Sequence, residues 1–361
     1  MIPILQRARP DILTLRPYEH AAWKPTLERM HANEMPWRAS EDATLAGLNR
    51  YPEPQPHELI EHLAALYGVT PQNVLAGRGS DEGIDLLVRT FCRAGQDSVL
   101  ICPPTFGMYK VSAQIQGAKL IAVPLIKERG YALDVDAVLS ACDDSVKLVF
   151  VCSPNNPTGN LVDRRAIETV CERLADTAVV VVDEAYIEFA GTESLAALLP
   201  RFHNLVVLRT LSKAYALAGT RCGAVLAHPE IVELLARVIT PYSLPTQTIE
   251  AVLEFTNASH RAEARKRIEL ILSERERVTA QLAHLPAIRR VWHSDANFIL
   301  VDCVDAEAVF NAAISVGLIV RDPRSNPLLG GCLRISVGTP GQNDRLLQAI
   351  GALTRVAGDA A

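Results

Sequence analysis

The sequence contains no paired cysteines: its eight cysteines are scattered singly, and no two of them form a Cys-x-x-Cys motif. Cys102, Cys152 and Cys222 lie in or beside apolar runs, where a thiol behaves as a small hydrophobic side chain. This distribution argues against a disulfide framework and fits a reducing compartment. The nine histidines include no His-Glu-x-x-His motif, and the spacing of His57 and His62 suits one helical face poorly, so the pattern predicts no metal site.

Long apolar runs and blocks of charge are also missing. No apolar stretch approaches the ~20 residues that a membrane-spanning helix requires, and the first residues lack the basic-then-apolar order of a secretion signal. The 36 basic and 41 acidic residues are evenly mixed and give a net charge of −5, so no basic surface for nucleic acid is predicted. We therefore expect a cytoplasmic protein that binds small molecules rather than membranes or nucleic acids.

What the sequence does have is length and apolar content. Its 361 residues are too many for a single small hydrophobic core, and 49% of them are hydrophobic, as in a globular protein with a sizeable interior. Near residue 250 the pattern changes from alternating strands and helices to a long charged helix, expected at 261–285, and then to short strands. We expect an N-terminal arm over 1–35, a large domain over 36–250 and a small domain over 251–361. The proline-rich arm is either disordered or docked on another surface, such as a second subunit.

Strand and helix patterns alternate through the predicted large domain. Helices are expected at 56–67, from Ser80 onward and at 164–174, and strands at 98–102, 120–125, 148–152, 178–182, 205–208 and 223–227. Two of these strands are continuously apolar, which is typical of strands buried on both faces. The alternation predicts an α/β fold with a doubly wound, mostly parallel sheet, whose ligand site lies beyond the carboxyl ends of the strands. In the small α+β domain we expect strands at 297–301, 317–320 and 332–337.

One segment, from Arg209 to Gly223, surrounds a lysine with groups that bind phosphate. Thr210 and Ser212 place hydroxyls beside Lys213, and Arg221 follows eight residues after the lysine. A lysine taken alone is most often a solvated loop residue, whereas hydroxyls and a guanidinium together form a phosphate-binding set. The segment therefore predicts a reactive amine beside a phosphate site.

An acid and two donors precede that segment. Asp183 follows four valines, and a carboxylate at the end of a buried strand must be paired: it either caps the next segment or pairs with a protonated ring nitrogen. Glu184 should point elsewhere because side chains alternate along a strand. Tyr186 and Asn156 can donate to a ring oxygen, although a tyrosine there is often plain packing and Asn-Pro-Thr-Gly is often an ordinary turn. Together with Lys213, these groups are the ones that hold pyridoxal 5′-phosphate (PLP), whose aldehyde forms an imine with a lysine.

A second side of the phosphate site is predicted before the helix that begins near Ser80. Gly79, Ser80 and Asp81 place small residues at a helix N-terminus, where free backbone N–H groups face an anion. A glycine-rich turn is weak evidence alone, but it complements Ser212 and Arg221. Phe106 either stacks on the cofactor ring or is an ordinary core aromatic.

Two arginines in the C-terminal part are candidates for substrate binding. Arg334 interrupts an apolar strand, where a charge is costly without an anionic partner, and a carboxylate or phosphate suits its guanidinium. Arg321 follows another apolar run; it either serves the same purpose or pairs with Asp322 or another surface acid.

These motifs resemble those of the fold-type I PLP-dependent aminotransferases, in the class II aminotransferase family, and most closely those of the histidinol-phosphate aminotransferases within it. The turn at 153–159 and the Ser212–Lys213 pair are typical of the superfamily, and the segments at 102–109, 183–189 and 216–223 of the subfamily. The likeness covers nearly the whole chain, including residues 32–34, 49–52, 77–82 and 333–338. It implies ping-pong transfer of an amino group between L-histidinol phosphate and 2-oxoglutarate, through a Lys213 imine, with imidazole acetol phosphate and glutamate on the other side, in L-histidine biosynthesis.

The resemblance also implies a homodimer with an active site at each subunit interface. Lys213, Asp183 and Tyr186 are then catalytic, and Asn156 contacts both cofactor and substrate. Tyr51 is expected to contact the cofactor phosphate of the neighbouring subunit, and Tyr18 to contact the substrate. Arg334 is expected to bind the anionic end of the substrate, and Arg321 its phosphate. The chain departs from the pattern at Trp37 and Arg38, where a tyrosine and a glycine are usual, and at Phe106, where close relatives often have tyrosine.

Two alternatives stay open from the sequence, and it argues against two others. An aromatic amino-acid aminotransferase would share the motifs, and so would a PLP-dependent decarboxylase such as threonine-phosphate decarboxylase, which releases carbon dioxide and needs no keto-acid acceptor. A PLP-sensing regulator would need a DNA-binding extension that the short, non-basic N-terminal segment does not supply. A binding protein without catalysis could lose its lysine, whereas this chain keeps Lys213.

Overall fold

A mixed sheet of seven strands forms the centre of the larger part of the molecule. The computed structural model describes residues 1–19, 24 and 26–358. The sheet order is β1–β7–β6–β5–β4–β2–β3, and β7 runs antiparallel to both of its neighbours while the other pairs are parallel. The strands are β1 (Val74–Gly77), β2 (Ser98–Ile101), β3 (Lys119–Ala122), β4 (Val146–Cys152), β5 (Val179–Asp183), β6 (Leu205–Thr210) and β7 (Gly223–Ala227).

Helices cover both faces of this sheet, so its central strands are buried throughout. They are α1 (Pro10–Leu13), α2 (His57–Tyr67), α3 (Ser80–Phe91), α4 (Met108–Gln116), α5 (Val135–Ala141), α6 (Arg164–Arg173), α7 (Pro229–Ala236) and α8 (Thr246–Phe255). Leu63 of α2 and Val170 of α6 pack on one face with Val149 and Val151. Helices α3, α4 and α7 pack on the other face. The sheet is therefore doubly wound, as the sequence predicted.

A second, three-stranded antiparallel sheet lies in the C-terminal part. Its order is β10–β9–β8, with β8 (Ile288–Val291), β9 (Phe298–Cys303) and β10 (Cys332–Ser336). The helices α9 (Ala258–Ala283), α10 (Ala306–Ser315) and α11 (Pro340–Gly358) pack against it around a separate apolar cluster. Among the described residues, no helix has the length and apolarity to cross a bilayer.

The expected strands and helices of the larger part are confirmed to within a few residues, but the strand expected at 317–320 is wrong. There α10 ends in a turn whose Gly317 has a φ of +73°, and the chain then joins the sheet through a single bridge between Arg321 and Arg334. The sequence analysis missed two short strands, β1 and β8.

The first residues of the chain are docked on its own core. Ile2, Ile4, Leu5 and Ile12 are buried with the α3–α4–α7 face of the large sheet, in a 3₁₀ turn at Pro3–Arg7 and in α1. Of the two alternatives for the arm, docking therefore holds for this part, although the surface is the chain's own core. Prolines at the first position of short helices are compatible with helical backbone.

Candidate active site

The carboxyl ends of β4, β5 and β6 open into a pocket. It is lined by Gly79, Ser80, Asp81, Phe106, Cys152, Asn156, Asp183, Ala185, Tyr186, Thr210, Ser212, Lys213, Ala218 and Arg221. Parallel strands end at the same edge of a sheet, so the loops that follow them converge there. Every residue that the sequence predicted as a cofactor contact within one chain lines this pocket, and Tyr51 does not.

Asp183, the last residue of β5, is the buried acid of the pocket. Only 2% of its surface is exposed. The hydroxyl of Tyr109 donates to its Oδ2 at 2.8 Å, and the backbone N–H of Ala185 donates to its Oδ1 at 3.1 Å. Burial raises the pKa of Asp183 from its ordinary value of 3.8 to about 6, and the two hydrogen bonds oppose that rise. The carboxylate therefore lies where a cation would stabilise it.

Lys213 stands on the loop after β6, with its Nζ 5.7 Å from the centre of the Tyr186 ring. Desolvation in the pocket and the nearby positive charge of Arg334 lower the pKa of Lys213, while Asp81 and Asp183 act in the opposite direction. A lowered pKa increases the fraction of neutral amine, which is the nucleophilic form. The arrangement thus favours a reactive lysine.

Hydroxyls, backbone N–H groups and a guanidinium gather at the other end of the pocket. The hydroxyl of Thr210 lies 3.0 Å from that of Ser212 and accepts the Ser212 backbone N–H at 3.2 Å. Arg221, in the left-handed region with a φ of +56°, pairs with Asp81 at 3.1 Å. Ser80 is the first residue of α3 and Gly79 its N-cap, so the turn before α3 presents the helix N-terminus to the same end of the pocket. We call this end, formed by Gly79, Ser80, Thr210, Ser212 and Arg221, the phosphate cup.

Gly223 allows the cup to be this compact. A Cβ at this first residue of β7 would lie 2.6 Å from the carbonyl carbon of Gly79 and from the backbone nitrogen of Ser80. These distances are too short for any side chain, so the close approach of β7 to the turn before α3 requires glycine.

A wider pocket adjoins the first and contains both predicted substrate arginines. Its lining includes Phe106, Asn156, Tyr186, Lys213, Arg321 and Arg334. The guanidinium of Arg334 donates to Asn156 Oδ1 at 2.5 Å and stands 5.1 Å from the centre of the Phe298 ring. Asn156 Nδ2 in turn lies 3.4 Å from the Tyr186 hydroxyl. Asn156 therefore links the arginine to the pocket that contains Lys213.

Arg321 and Arg334 are neighbours because their backbones pair. Each backbone N–H donates to the other residue's carbonyl at 2.9 Å, and paired residues of antiparallel strands project to the same face. The alternative partner of Arg321, Asp322, instead forms a bidentate ion pair with Arg324. The structure thus leaves Arg321 facing the wider pocket.

Three supporting residues were missed by the sequence analysis. Tyr109 is fully buried behind Asp183, stacked on Phe150 with ring centres 4.7 Å apart. Cys152 lines the pocket next to Asp183 in the β4–β5 register. Arg209 is buried in β6, and its charge within an apolar strand was the signal that could have revealed it.

Arg209 explains where Glu184 points. The guanidinium lies 3.7 Å from Glu184 and 2.7 Å from Glu188, and Glu184 also accepts hydrogen bonds from the Ser194 hydroxyl and the Leu195 backbone. Glu184 is therefore engaged away from the pocket, as strand alternation predicted.

Two residues expected near the site lie elsewhere within this chain. Tyr51 stacks on Tyr242 at 4.6 Å and borders a separate groove formed by residues 32–34, 48–52 and 245–247. Tyr18 is 67% exposed and lines neither of the two pockets that contain Lys213.

Comparison with known proteins identifies the family. The aminotransferase class I and II family matches residues 27–350. The chain belongs to that family. A histidinol-phosphate aminotransferase of Stenotrophomonas maltophilia is 46% identical over 353 residues, which are 97% of each chain. One of Xylella fastidiosa is 50% identical over 323 residues, 89% of this chain and 88% of the relative.

Solved aminotransferases share the fold. The histidinol-phosphate aminotransferase of Sinorhizobium meliloti in complex with pyridoxal-5′-phosphate superposes with a TM-score of 0.77 at 26% identity, covering 86% of this chain and 84% of that one. The enzyme from Clostridium acetobutylicum gives the same TM-score at 21% identity, covering 85% and 91%. The seven-stranded and three-stranded sheets are thus those of a fold-type I aminotransferase.

Proposed function

We propose that the chain is a PLP-dependent aminotransferase that moves an amino group between L-histidinol phosphate and 2-oxoglutarate, forming imidazole acetol phosphate and glutamate, in L-histidine biosynthesis. The single observation that carries the assignment is the identity of 46% over 97% of both chains with a relative of that name. The pocket around Lys213 supports it, because its groups meet the needs of the cofactor one by one.

The residues present fit PLP. Asp183 is a buried carboxylate with a raised pKa, and a protonated ring nitrogen would supply the cation that it lacks. Ser80, Thr210, Ser212 and Arg221 offer hydroxyls and a guanidinium for the phosphate. Asn156 and Tyr186 lie side by side to donate to the ring oxygen, and we assign Phe106 to the ring face. Gly79 and Asp81 complete the turn that holds the phosphate cup.

The protein's own groups then perform the proton transfers. PLP, when bound, withdraws electrons from the carbon that carries the substrate's amino group. Lys213, with its lowered pKa, would take the proton from the substrate Cα and pass it to the cofactor carbon that carried the aldehyde, and the second half-reaction would reverse this transfer. Asp183 holds the positive charge of the ring nitrogen, and Tyr186 orients the ring oxygen.

The two arginines account for two different substrates in one site. Arg334 and Arg321 face the same pocket, and a guanidinium binds a phosphate ester or a carboxylate through the same pair of N–H groups. We assign Arg334 to the anionic end of either substrate and Arg321 to the phosphate. Tyr18 is assigned to the substrate by the resemblance alone.

We also propose a homodimer in which Tyr51 reaches the partner's cofactor phosphate. This proposal is supported by the exposed apolar side chains of the segment 30–51. In it, Met30, Met35, Trp37 and Leu45 are 65–96% exposed. Exposed apolar patches on globular proteins often mark interfaces. Tyr51, at the end of this segment, lies outside its own chain's pocket, as a residue serving a second subunit would.

The domain division at residues 1–35, 36–250 and 251–361 stays a proposal, supported by the separate apolar clusters of the two sheets. A cytoplasmic location is likewise proposed. It is supported by the absence of disulfides, since all eight cysteines are unpaired.

Turnover assays test the assignment. With 2-oxoglutarate as acceptor, the protein should transaminate L-histidinol phosphate with a kcat/KM at least about a hundredfold above those for phenylalanine and tyrosine, because only the phosphate engages both arginines. Lys213→Ala should have no measurable turnover and serves as the blank. Equal or better rates with the aromatic amino acids would make the chain an aromatic aminotransferase, and carbon dioxide release without acceptor would make it a decarboxylase.

A further inference from the structure

A turn on the rim of the wider pocket carries an acid next to a substrate arginine. Residues Arg321, Pro323, Ser325 and Asn326 line that pocket. Asp322, which directly follows Arg321, is only partly exposed, as is Arg324. A carboxylate in this position is the natural competitor of a substrate anion, because both would bind the same guanidinium.

Arg324 engages both oxygens of that carboxylate. Its Nε donates to Asp322 Oδ1 at 2.9 Å and its Nη2 to Oδ2 at 2.7 Å, while the Arg324 backbone N–H also donates to Oδ1 at 2.9 Å. Both oxygens of Asp322 are therefore occupied. Arg321, which is exposed, makes no ion pair with an acid among the residues that the structure describes.

Asp322 and Arg321 nevertheless interact electrostatically. The pKa of Asp322 lies below its ordinary value mainly because of the hydrogen bond from Arg324, and the charge of Arg321 lowers it further. The Asp322 carboxylate thus lies within electrostatic reach of both arginines. Removal of Arg324 would leave Arg321 as its nearest cation on the turn.

We propose that Arg324 is a specificity-determining residue: it sequesters the Asp322 carboxylate and so keeps Arg321 available for the phosphate of the substrate. The inference rests on the proposed function, since it concerns the anion that Arg321 binds. Together the three arginines and one acid at this rim leave a net positive charge at the mouth of the pocket, and loss of Arg324 would both reduce that charge and redirect Asp322 onto Arg321.

Two explanations of the ion pair make opposite predictions for removal of the acid. If the pair only holds the shape of the turn, loss of either partner should impair the enzyme. If Arg324 acts by neutralising Asp322, loss of Arg324 should impair binding while loss of Asp322 should not. Asparagine at 322 retains the oxygen that accepts the Arg324 backbone N–H, so Asp322→Asn removes charge with little change of the turn.

The experiment compares Arg324→Gln, Asp322→Asn and the double variant in the cofactor-loaded enzyme. We expect Arg324→Gln to raise the KM for L-histidinol phosphate about tenfold, the effect of losing one charged hydrogen bond, with kcat within about twofold of the wild type. Asp322→Asn alone should leave KM unchanged or lower it, because the mouth of the pocket gains positive charge, and the double variant should return KM to the wild-type value. Arg9→Gln is a matched control. It removes the bidentate pair between Arg9 and Asp11, which are also two positions apart but lie outside the pocket. This variant should change neither KM nor kcat.

The outcomes separate the hypotheses. A wild-type KM in Arg324→Gln, or a raised KM in Asp322→Asn and in the double variant, would overturn the proposal. If Arg324→Gln fails to fold, Arg324→Met takes its place, and a wild-type KM in that variant would overturn the proposal. A wild-type enzyme that does not convert L-histidinol phosphate would instead refute the proposed function.

Discussion

At the scale of single residues, the site contains a few ionisable side chains whose charged form is disfavoured by burial. Asp183 is the clearest case: its carboxylate is almost fully buried and has two hydrogen bonds, but no cation at bonding distance among the residues that the structure describes. Burial therefore raises its pKa to about 6. In the protein without its cofactor, this residue should make folding sensitive to pH.

The sign of that sensitivity follows from the pKa. In the unfolded chain Asp183 ionises near 3.8, and in the folded protein near 6. Between these values the unfolded chain has lost the proton and the folded protein has not, so the wild type loses stability as the pH rises through 6. A gap of about two pKa units corresponds to about 3 kcal/mol. The free energy of unfolding of Asp183→Asn, relative to wild type, should therefore rise by about this amount between pH 4 and pH 7.5.

Urea unfolding of the two cofactor-free proteins at both pH values provides the measurement. The asparagine of the variant cannot ionise, and all other groups cancel in the comparison. A difference in stability that stays constant with pH would show that the Asp183 carboxyl is not destabilised by burial.

The residue scale also shows what the sequence could predict. Lys213 and Asp183 were predictable because the residues that reveal them are close in sequence. Hydroxyl side chains lie next to the lysine, and four valines precede the acid. Tyr109 was not, because its partner Asp183 lies 74 positions away and only the fold brings the two together. The ion pair of Arg324 with Asp322 was missed for a different reason, since the sequence offered Asp322 equally well as a partner of Arg321.

At the scale of elements, the apolar strands of the large sheet were predictable and the weakly patterned ones were not. The strands β4 and β5 are continuous apolar runs buried on both faces. The strand β1 is four residues long and ends in Gly77, and β8 carries two arginines in four positions, so neither has a strand pattern. The run 317–320 has such a pattern but pairs with no strand in the part of the chain that the structure describes, so pairing rather than propensity decides whether a strand forms.

The fit between β7 and the turn before α3 yields a prediction at this scale. Gly223→Ala should push the turn at Gly79 and Ser80 away from β7, because the new methyl group would lie 2.6 Å from their backbone atoms. We expect a loss of about 1–3 kcal/mol in stability, as for other overpacked sites, together with weaker binding of PLP.

Thermal unfolding and PLP titration measure the two effects. Gly219→Ala is the control, because a Cβ at Gly219 would meet no atom within 4 Å. If Gly223→Ala bound PLP as tightly as this control, the close approach of β7 would have no role in shaping the phosphate cup.

At the scale of the whole molecule, the site lies where the two sheets meet. Tyr186 packs edge-on against Phe298 of the smaller sheet, with ring centres 5.1 Å apart. Arg275 of α9 donates to the backbone carbonyls of Phe189 and Ala296 and so joins the segment after β5 to the loop before β9. The groups that we propose for the cofactor thus come from the large sheet, and the arginines that we propose for the substrate, Arg321 and Arg334, come from the smaller one. No local pattern in the sequence predicts this junction, because contacts such as that between Arg275 and Phe189 join residues 86 positions apart.

We propose that the site at this junction transfers the amino group of L-histidinol phosphate. The most direct test is the visible spectrum of the purified, PLP-loaded protein during addition of L-histidinol phosphate, with phenylalanine and tyrosine as matched titrations. We predict that L-histidinol phosphate converts the bound cofactor from its aldehyde to its amine form at far lower concentration than either aromatic amino acid. Conversion by the aromatic amino acids at equal or lower concentration would contradict it.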